Sequence, residues 1–211
     1  MFESMRRILA IPAVYRLWGI LVGGSSTTKA LVDEYIQPGP DASILEIGCG
    51  PGTMVPYLPQ SGYVGFDLSS DYIEQAKKRF PHARFVCERV SKFSLAQERS
   101  FDLVLAIGVI HHLDDGEATQ LFQIAHDALK PGGKLVTVDG VFTHDQPAAA
   151  RWLLRRDRGK YVRNEEEYLK IAAQVFGDIR ANIRQDLLRI PYTHLILQCS
   201  RPALSIAEKT A

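Results

Sequence analysis

The sequence predicts a doubly wound α/β fold, and three observations carry that prediction. Short apolar runs alternate with segments of helical spacing from about residue 27 onward. The first run, "SILEIG", is continuously apolar, as in a strand covered on both faces of a parallel sheet. It ends in a glycine-rich turn with Gly48, Gly50 and Gly52, where an open α/β sheet turns from strand to helix. The expected architecture has three layers, with a mostly parallel sheet between two layers of helices.

The elements follow in order. Thr27 to Ile36 has helical spacing at Ala30, Leu31 and Tyr35, and "QPGP" ends it. After "SILEIG" a helix is expected over Thr53–Leu58. "YVGFDLS" is a second strand, and "SSDYIEQAKKRF" is a helix with Ser69 or Ser70 as its cap. "ARFVCERV" and "FDLVLAIGVI" are the third and fourth strands. The helix "GEATQLFQIAHDAL", the turn "PGG" and a fifth strand, "KLVTVDGV", come next. Beyond residue 142 the pattern changes. "AAARWLLRRDRGKYVR" is basic and partly helical, with a loop at Asp157–Tyr161, and "NEEEYLKIAAQVF" is a helix capped at Asn164. "IRANIRQDLL" and "THLILQCS" are two last strands joined only by "RIPY", which predicts an antiparallel hairpin. The strand count is seven.

Size and composition bound the function. The 211 residues suit one domain. It divides into an N-terminal helical cap (1–30), a cofactor-binding half (31–141) and a substrate-side insertion with the terminal hairpin (142–200). Apolar residues make up 46% and charged residues 23%, with a net charge of +1, so no basic stripe points to nucleic acid. Cys49, Cys87 and Cys199 lack metal-ligand spacing and read as reduced thiols, which suits a cytoplasmic protein; no metal is expected. The N-terminal run is interrupted by Pro12 and Arg16 and is too short to span a bilayer. It reads as an amphipathic segment packed on the domain. Monomer and homodimer are both compatible with the chain.

The glycine turn lets backbone approach a ligand with no Cβ in the way. Its spacing is G-x-G-x-G rather than the G-x-G-x-x-G of dinucleotide sites, and Glu46 precedes it. A carboxylate there repels a pyrophosphate but can hold an ammonium, directly or through water. Asp67, at the end of the second strand, can take the two hydroxyls of a ribose. A cofactor with a ribose and a cationic amino acid end fits S-adenosylmethionine better than a nicotinamide dinucleotide.

Four stretches, "ILEIGCGPG", "GFDLS", "FDLVLAIGVIHHL" and "LKPGGKLV", stand in the order and spacing of a known family. Over roughly Leu31–Val141 the sequence resembles the class I S-adenosylmethionine-dependent methyltransferases, with a Rossmann-like fold. The resemblance implies that Glu46, Gly48, Cys49, Gly50 and Gly52 receive the methionine end of the cofactor. It also implies that Asp67 binds the ribose, that Leu68 flanks the adenine, and that backbone at Ile107 and Gly108 meets the methionine amino group. Where the family often has an acid after the third strand, this chain has Arg89. Adenine recognition then falls to the Val90 amide or to Glu88.

Ligands of such sheets bind beyond the carboxyl ends of the strands. That end gathers His111, His112, His144, the segment from Phe142 to Arg163, and the hairpin turn. Imidazole suits proton transfer near neutral pH, so His111 is the first candidate base, followed by His112 and His144. Against this, adjacent histidines can simply cap and pack, and methyl transfer can proceed by positioning alone. Arg158 and Tyr161 in the basic segment, with Arg189 and Tyr192 from the hairpin, are substrate-side candidates. Tyr15 and Arg16 could fold over the site as a lid. The basic segment favours an anionic acceptor, and the apolar N-terminus leaves a lipid-linked one open. The expected reaction is methyl transfer to a small molecule, most of all at oxygen, by in-line displacement, leaving S-adenosylhomocysteine. The rival readings are a protein of the same fold that binds the cofactor for cyclase or decarboxylase chemistry, and a nicotinamide-dependent oxidoreductase.

Overall fold

The computed structural model describes residues 24–89 and 100–203. Its centre is one sheet in the order β3-β2-β1-β4-β5-β8-β7. The strands are β1 (Ile44–Ile47), β2 (Tyr63–Asp67), β3 (Arg84–Cys87), β4 (Phe101–Ile107), β5 (Leu129–Phe142), β7 (Asp178–Arg184) and β8 (His194–Ser200). The pairs β1–β2, β1–β4, β2–β3 and β4–β5 are parallel. β8 runs antiparallel to both β5 and β7, so β7 points the same way as β1–β5. An eighth strand, β6 (Arg163–Asn164), pairs only with Val141–Phe142 at the end of β5.

Successive side chains of a strand point to opposite faces, and the sheet builds a core on each. Leu45, Val104 and Ala106 pack with Leu121, Phe122 and Ala125 of α3 (Asp115–Ala128) and with Tyr168 and Ile171 of α5 (Glu165–Ala172). Their neighbours Ile44, Leu103 and Leu105 pack on the other face with Leu31 of α1 (Gly24–Leu31), and with Ile73 and Ala76 of α2 (Ser70–Arg79). Both faces are covered, which is why the inner strands read as unbroken apolar runs.

The helix starts obey capping rules. Ser69, Asp114 and Asn164 each accept a first-turn backbone N–H, and Asn164 forms a reciprocal capping box with Glu167. α4 (Ala148–Leu154) is the short helical part of the basic segment.

Three expectations need correcting. Thr53–Leu58 is no α-helix; only the 3₁₀ turn Val55–Tyr57 forms. Pro56 and Pro59 remove backbone donors that a helix would need. The "PGG" turn is absorbed into β5, whose pairing with β4 slips between Phe101 and Leu103, leaving Pro131–Gly133 as a bulge. The hairpin link is longer than "RIPY". β7 stops at Arg184, because the following chain turns inward to bury Leu187 and bring its carbonyl to the Thr27 hydroxyl.

Candidate active site

The carboxyl ends of β2, β1, β4 and β5 lie side by side, about 14 Å across at the usual strand spacing. Asp67 ends β2. Its Oδ2 accepts the Gly50 N–H at 2.9 Å and its Oδ1 accepts the Ser69 N–H at 2.8 Å, tying the glycine turn to the neighbouring strand. Each oxygen keeps a further lone pair, so a diol can still be bound. Gly50 adopts φ +53° and Gly108, just after β4, adopts φ +70°. A Cβ on Gly50 would meet nothing within 4 Å, and one on Gly108 only His111 Cε1 at 3.8 Å. Both glycines therefore border open space on the site side. Gly48 instead packs on the Val109 side chain, Gly52 faces Phe80 and the buried Cys49 packs against Gly65, while Ile107 ends β4 half-buried; Leu68 is exposed beside Asp67.

Glu46 does not border that space. It is 2% exposed, and its carboxyl accepts the Tyr63 hydroxyl beneath the glycine turn. Burial pushes its pKa up to about 8, the Tyr63 hydroxyl opposes that rise, and Asp67 adds to it. A direct contact with a bound ammonium is therefore unavailable in this conformation. Glu46 supports the floor, and the same burial raises the Cys49 thiol, leaving it inert.

One strand over from Glu46, beyond the end of β4, His111 sits in the 3₁₀ turn Ile110–His112, 7% exposed. Its backbone N–H donates to Asp139 Oδ1 at 3.1 Å, and its ring Nδ1 lies 2.7 Å from the same oxygen. On the other side, Nε2 lies 3.4 Å from Asp157 Oδ1. Asp157 Oδ2 accepts the Tyr192 hydroxyl at 2.8 Å. Burial alone would lower the His111 pKa, but the bonds to Asp139 and then Asp157 outweigh it and lift the pKa from 6.5 to about 9. Burial would raise the Asp157 carboxyl, yet His111 and the Gly159 N–H hold it well below the usual carboxylate range. At neutral pH the ring is an imidazolium between two carboxylates. It is not a free base as the chain stands.

The remaining candidates separate. His112 shares the turn, its ring 4.2 Å from that of His111 between centroids, and burial and then the His111 charge lower its pKa. His144 is almost fully exposed and bonded to Asp145, apart from the His111 cluster. Tyr161 donates its backbone N–H to the His111 carbonyl at 3.0 Å. Arg158 lines a cleft of about 500 Å³ with Arg155, Asp157, Gly159 and Lys160. Arg189 is exposed on the hairpin link. Arg163, from the basic segment, is structural: it is 7% exposed and binds Asp115 and the carbonyls of Ile110, Leu113 and Tyr161. Tyr15, Arg16 and Val90 lie outside the described residues. Sequence reasoning missed Asp139, although a lone acid near the end of an apolar strand was a signal. It also missed Tyr63 beneath Glu46 and the bridge from Asp157 to His111. Among the described residues no cluster of His, Cys, Asp or Glu could hold a metal ion, and no helix is long and apolar enough to cross a membrane.

Comparison with known proteins bears on the family. A family model described as "Methyltransferase domain" matches residues 44–133. Residues 44–133 thus match a methyltransferase domain, in keeping with the resemblance to the class I S-adenosylmethionine-dependent enzymes. An uncharacterized methyltransferase of Synechocystis sp. is 32% identical over 128 residues, 60% of each chain. The phosphoethanolamine N-methyltransferase of Triticum aestivum is 27% identical over 190 residues, 85% of this chain and 36% of that one. A Haemonchus contortus enzyme, solved with phosphomonomethylethanolamine and S-adenosylhomocysteine, superposes with a TM-score of 0.69 at 19% identity over 87% of this chain and 54% of that one. The chain thus spans between about a third and three fifths of the curated relatives' lengths. S-adenosyl-L-methionine is the cofactor of the family. The methyltransferase domain fits it: the backbone of Gly50 and Gly108 borders open space, Asp67 has acceptor capacity for a diol, and Leu68 offers an exposed apolar face.

Proposed function

We propose that the chain transfers a methyl group to a small-molecule acceptor seated beside His111, with nitrogen as the acceptor atom. The observation that carries this reading is the juxtaposition at one sheet edge of an open glycine wall bounded by Asp67 and an Asp139–His111–Asp157 cluster. When bound, the cofactor supplies an electrophilic methyl on a sulfonium. In this reading Asp67 orients the ribose, Leu68 covers the adenine, and the Gly50 and Gly108 backbone admits the methionine end.

The acceptor side is read from charge. Two carboxylates at one ring suit an amine, which approaches as an ammonium and must lose a proton before it attacks. Asp139 holds Nδ1, so Nε2 of His111 is the atom that can take that proton once it is uncovered. Arg155, Arg158 and Lys160 on the adjoining cleft favour an acceptor that also carries a phosphate or carboxylate. Oxygen ranked first in the sequence alone. The wheat relative is named for N-methylation and matches over 85% of this chain, which moves the proposal to nitrogen.

Calorimetry with S-adenosylmethionine, S-adenosylhomocysteine and NAD tests the cofactor, with binding expected for the first two. Labelled methyl transfer into a panel of amines and alcohols, each with and without an anionic group, tests the acceptor. Label on the nitrogen of an anionic amine is expected. Label on oxygen, or cofactor binding with no methylated product from any acceptor, would overturn the reading.

A further inference from the structure

The segment Arg155–Tyr161 crosses the His111 turn and is fastened to it by polar contacts. Asp157 Oδ1 faces His111 Nε2 at 3.4 Å and accepts the Gly159 N–H at 2.9 Å. Asp157 Oδ2 takes the Tyr192 hydroxyl at 2.8 Å, and the Tyr161 N–H donates to the His111 carbonyl at 3.0 Å. The approach is so close that a Cβ on Gly159 would lie 2.0 Å from His111 Cδ2 and 2.7 Å from its carbonyl oxygen. Meanwhile Arg155, Arg156, Arg158, Lys160 and Tyr161 stay exposed. The segment brings a carboxylate and a glycine to the site and keeps its cations on the outer surface, with Arg156 over the Trp152 ring.

We infer that Asp157 is a positioning residue that couples closure of the segment Arg155–Tyr161 to the state of His111. With Asp157 in place, Nε2 is covered and the ring keeps both protons. With Asp157 lifted, Nε2 is uncovered while Asp139, fixed on β5, still holds Nδ1. The Nε2 proton then passes to solvent water, and the freed lone pair can accept the proton that an incoming ammonium must release. This extends the proposed function, since it rests on an acceptor placed beside His111.

The groups around the ring favour the same coupling. Asp139 from β5 and Asp157 from the segment support the imidazolium, whereas Arg158 acts on the neighbouring His112 and Arg163 is occupied by Asp115. His112, from the same turn, and His194, from β8, both have lowered pKa values, His194 falling to about 4 through burial and then the His111 charge. They add no positive charge at neutral pH. Tyr192 and Tyr168 are held protonated, so Tyr192 serves Asp157 as a neutral donor. Asp157 is therefore the movable half of the pair of carboxylates that keeps His111 charged.

The test needs neither cofactor nor acceptor, so it fails or succeeds apart from methyl transfer. Two readouts are taken on the full chain: the His111 ring titration by NMR, and tryptic cleavage after Arg155, Arg156, Arg158 and Lys160, assigned by mass. The wild-type ring is expected to titrate near pH 9, with slow cutting at pH 7 that accelerates as the ring loses its proton. Asp157→Asn should lower the midpoint by at least about one pH unit, a tenfold loss of proton affinity, and speed cutting at pH 7 about tenfold or more. Asp157→Glu should restore much of both. If Asp157→Asn does not fold, Gly159→Ala decides, because its Cβ forces the segment off while Asp157 stays; the same two changes are expected. Wild-type values of both readouts in whichever variant folds would overturn the inference, and so would faster cutting with an unmoved His111 midpoint.

Discussion

At the scale of single residues, buried charge sets the behaviour of this chain. Glu46 is protonated in the fold up to about pH 8 but ionises near its ordinary value when unfolded. Its raised folded pKa means that the native state binds more protons, so stability is fullest below about pH 4.5 and declines as pH rises towards 8. Glu46→Gln should flatten that decline, as read by urea unfolding across the range; an unchanged slope would place the proton elsewhere. His111 has the same sign in a different window. Its contribution is fully present below about 6.5 and is lost as pH passes through 9, and the shift corresponds to about 3 kcal/mol. Asp67 is tested by binding instead. Asp67→Ala should weaken S-adenosylmethionine binding by about 1–3 kcal/mol in calorimetry, and part of that loss will come from freeing the Gly50 amide. Sequence made Asp67 legible because the acid stands where a strand ends. It could not show that Glu46, equally conspicuous, turns under the floor to meet Tyr63.

At the scale of elements, local chemistry and tertiary demand part company in identifiable places. The caps at Ser69 and Asn164 were readable, since capping is decided within four residues, whereas the Asp114 cap came only from the structure. Asn164→Ala removes the side-chain half of the capping box, leaving the backbone N–H that Glu167 accepts, and should cost about 1 kcal/mol of stability, measured as a lower urea midpoint at unchanged m-value. The hairpin link was misjudged because Leu187 looks like the end of a strand in sequence, whereas it fills a hole in the core beside α1. The turn expected to open a helix after Gly52 held two prolines, and their local effect prevailed over the alternating pattern. The basic segment shows the opposite failure. Its charges look alike along the chain, yet the structure buries Arg163 as a brace, leaves Arg158 on the cleft, and turns Asp157 inward to His111.

At the scale of the whole molecule, the sheet order places Asp67 on β2 and Asp139 on β5 with two strands between them, and the proposed function sets cofactor and acceptor across that separation. The antiparallel insertion of β8 between β5 and β7 then returns Tyr192 to the same edge. If this assembly is the working site, cofactor binding should raise the unfolding temperature of the full chain, with the size of the rise following ligand concentration over its dissociation constant. Absence of any rise at saturating S-adenosylmethionine would separate the fold from the cofactor. The sequence by itself determined the strand order's raw material, the glycine turn, Asp67 and the cofactor class, because those signals are written in contiguous residues whose spacing is their physics. Only the tertiary structure decided that Glu46 is buried, that His144 stands apart, and that His111 is held charged between Asp139 and Asp157. Those outcomes depend on residues 28 and 46 positions away from His111 being brought within bonding distance, and no local pattern encodes that meeting.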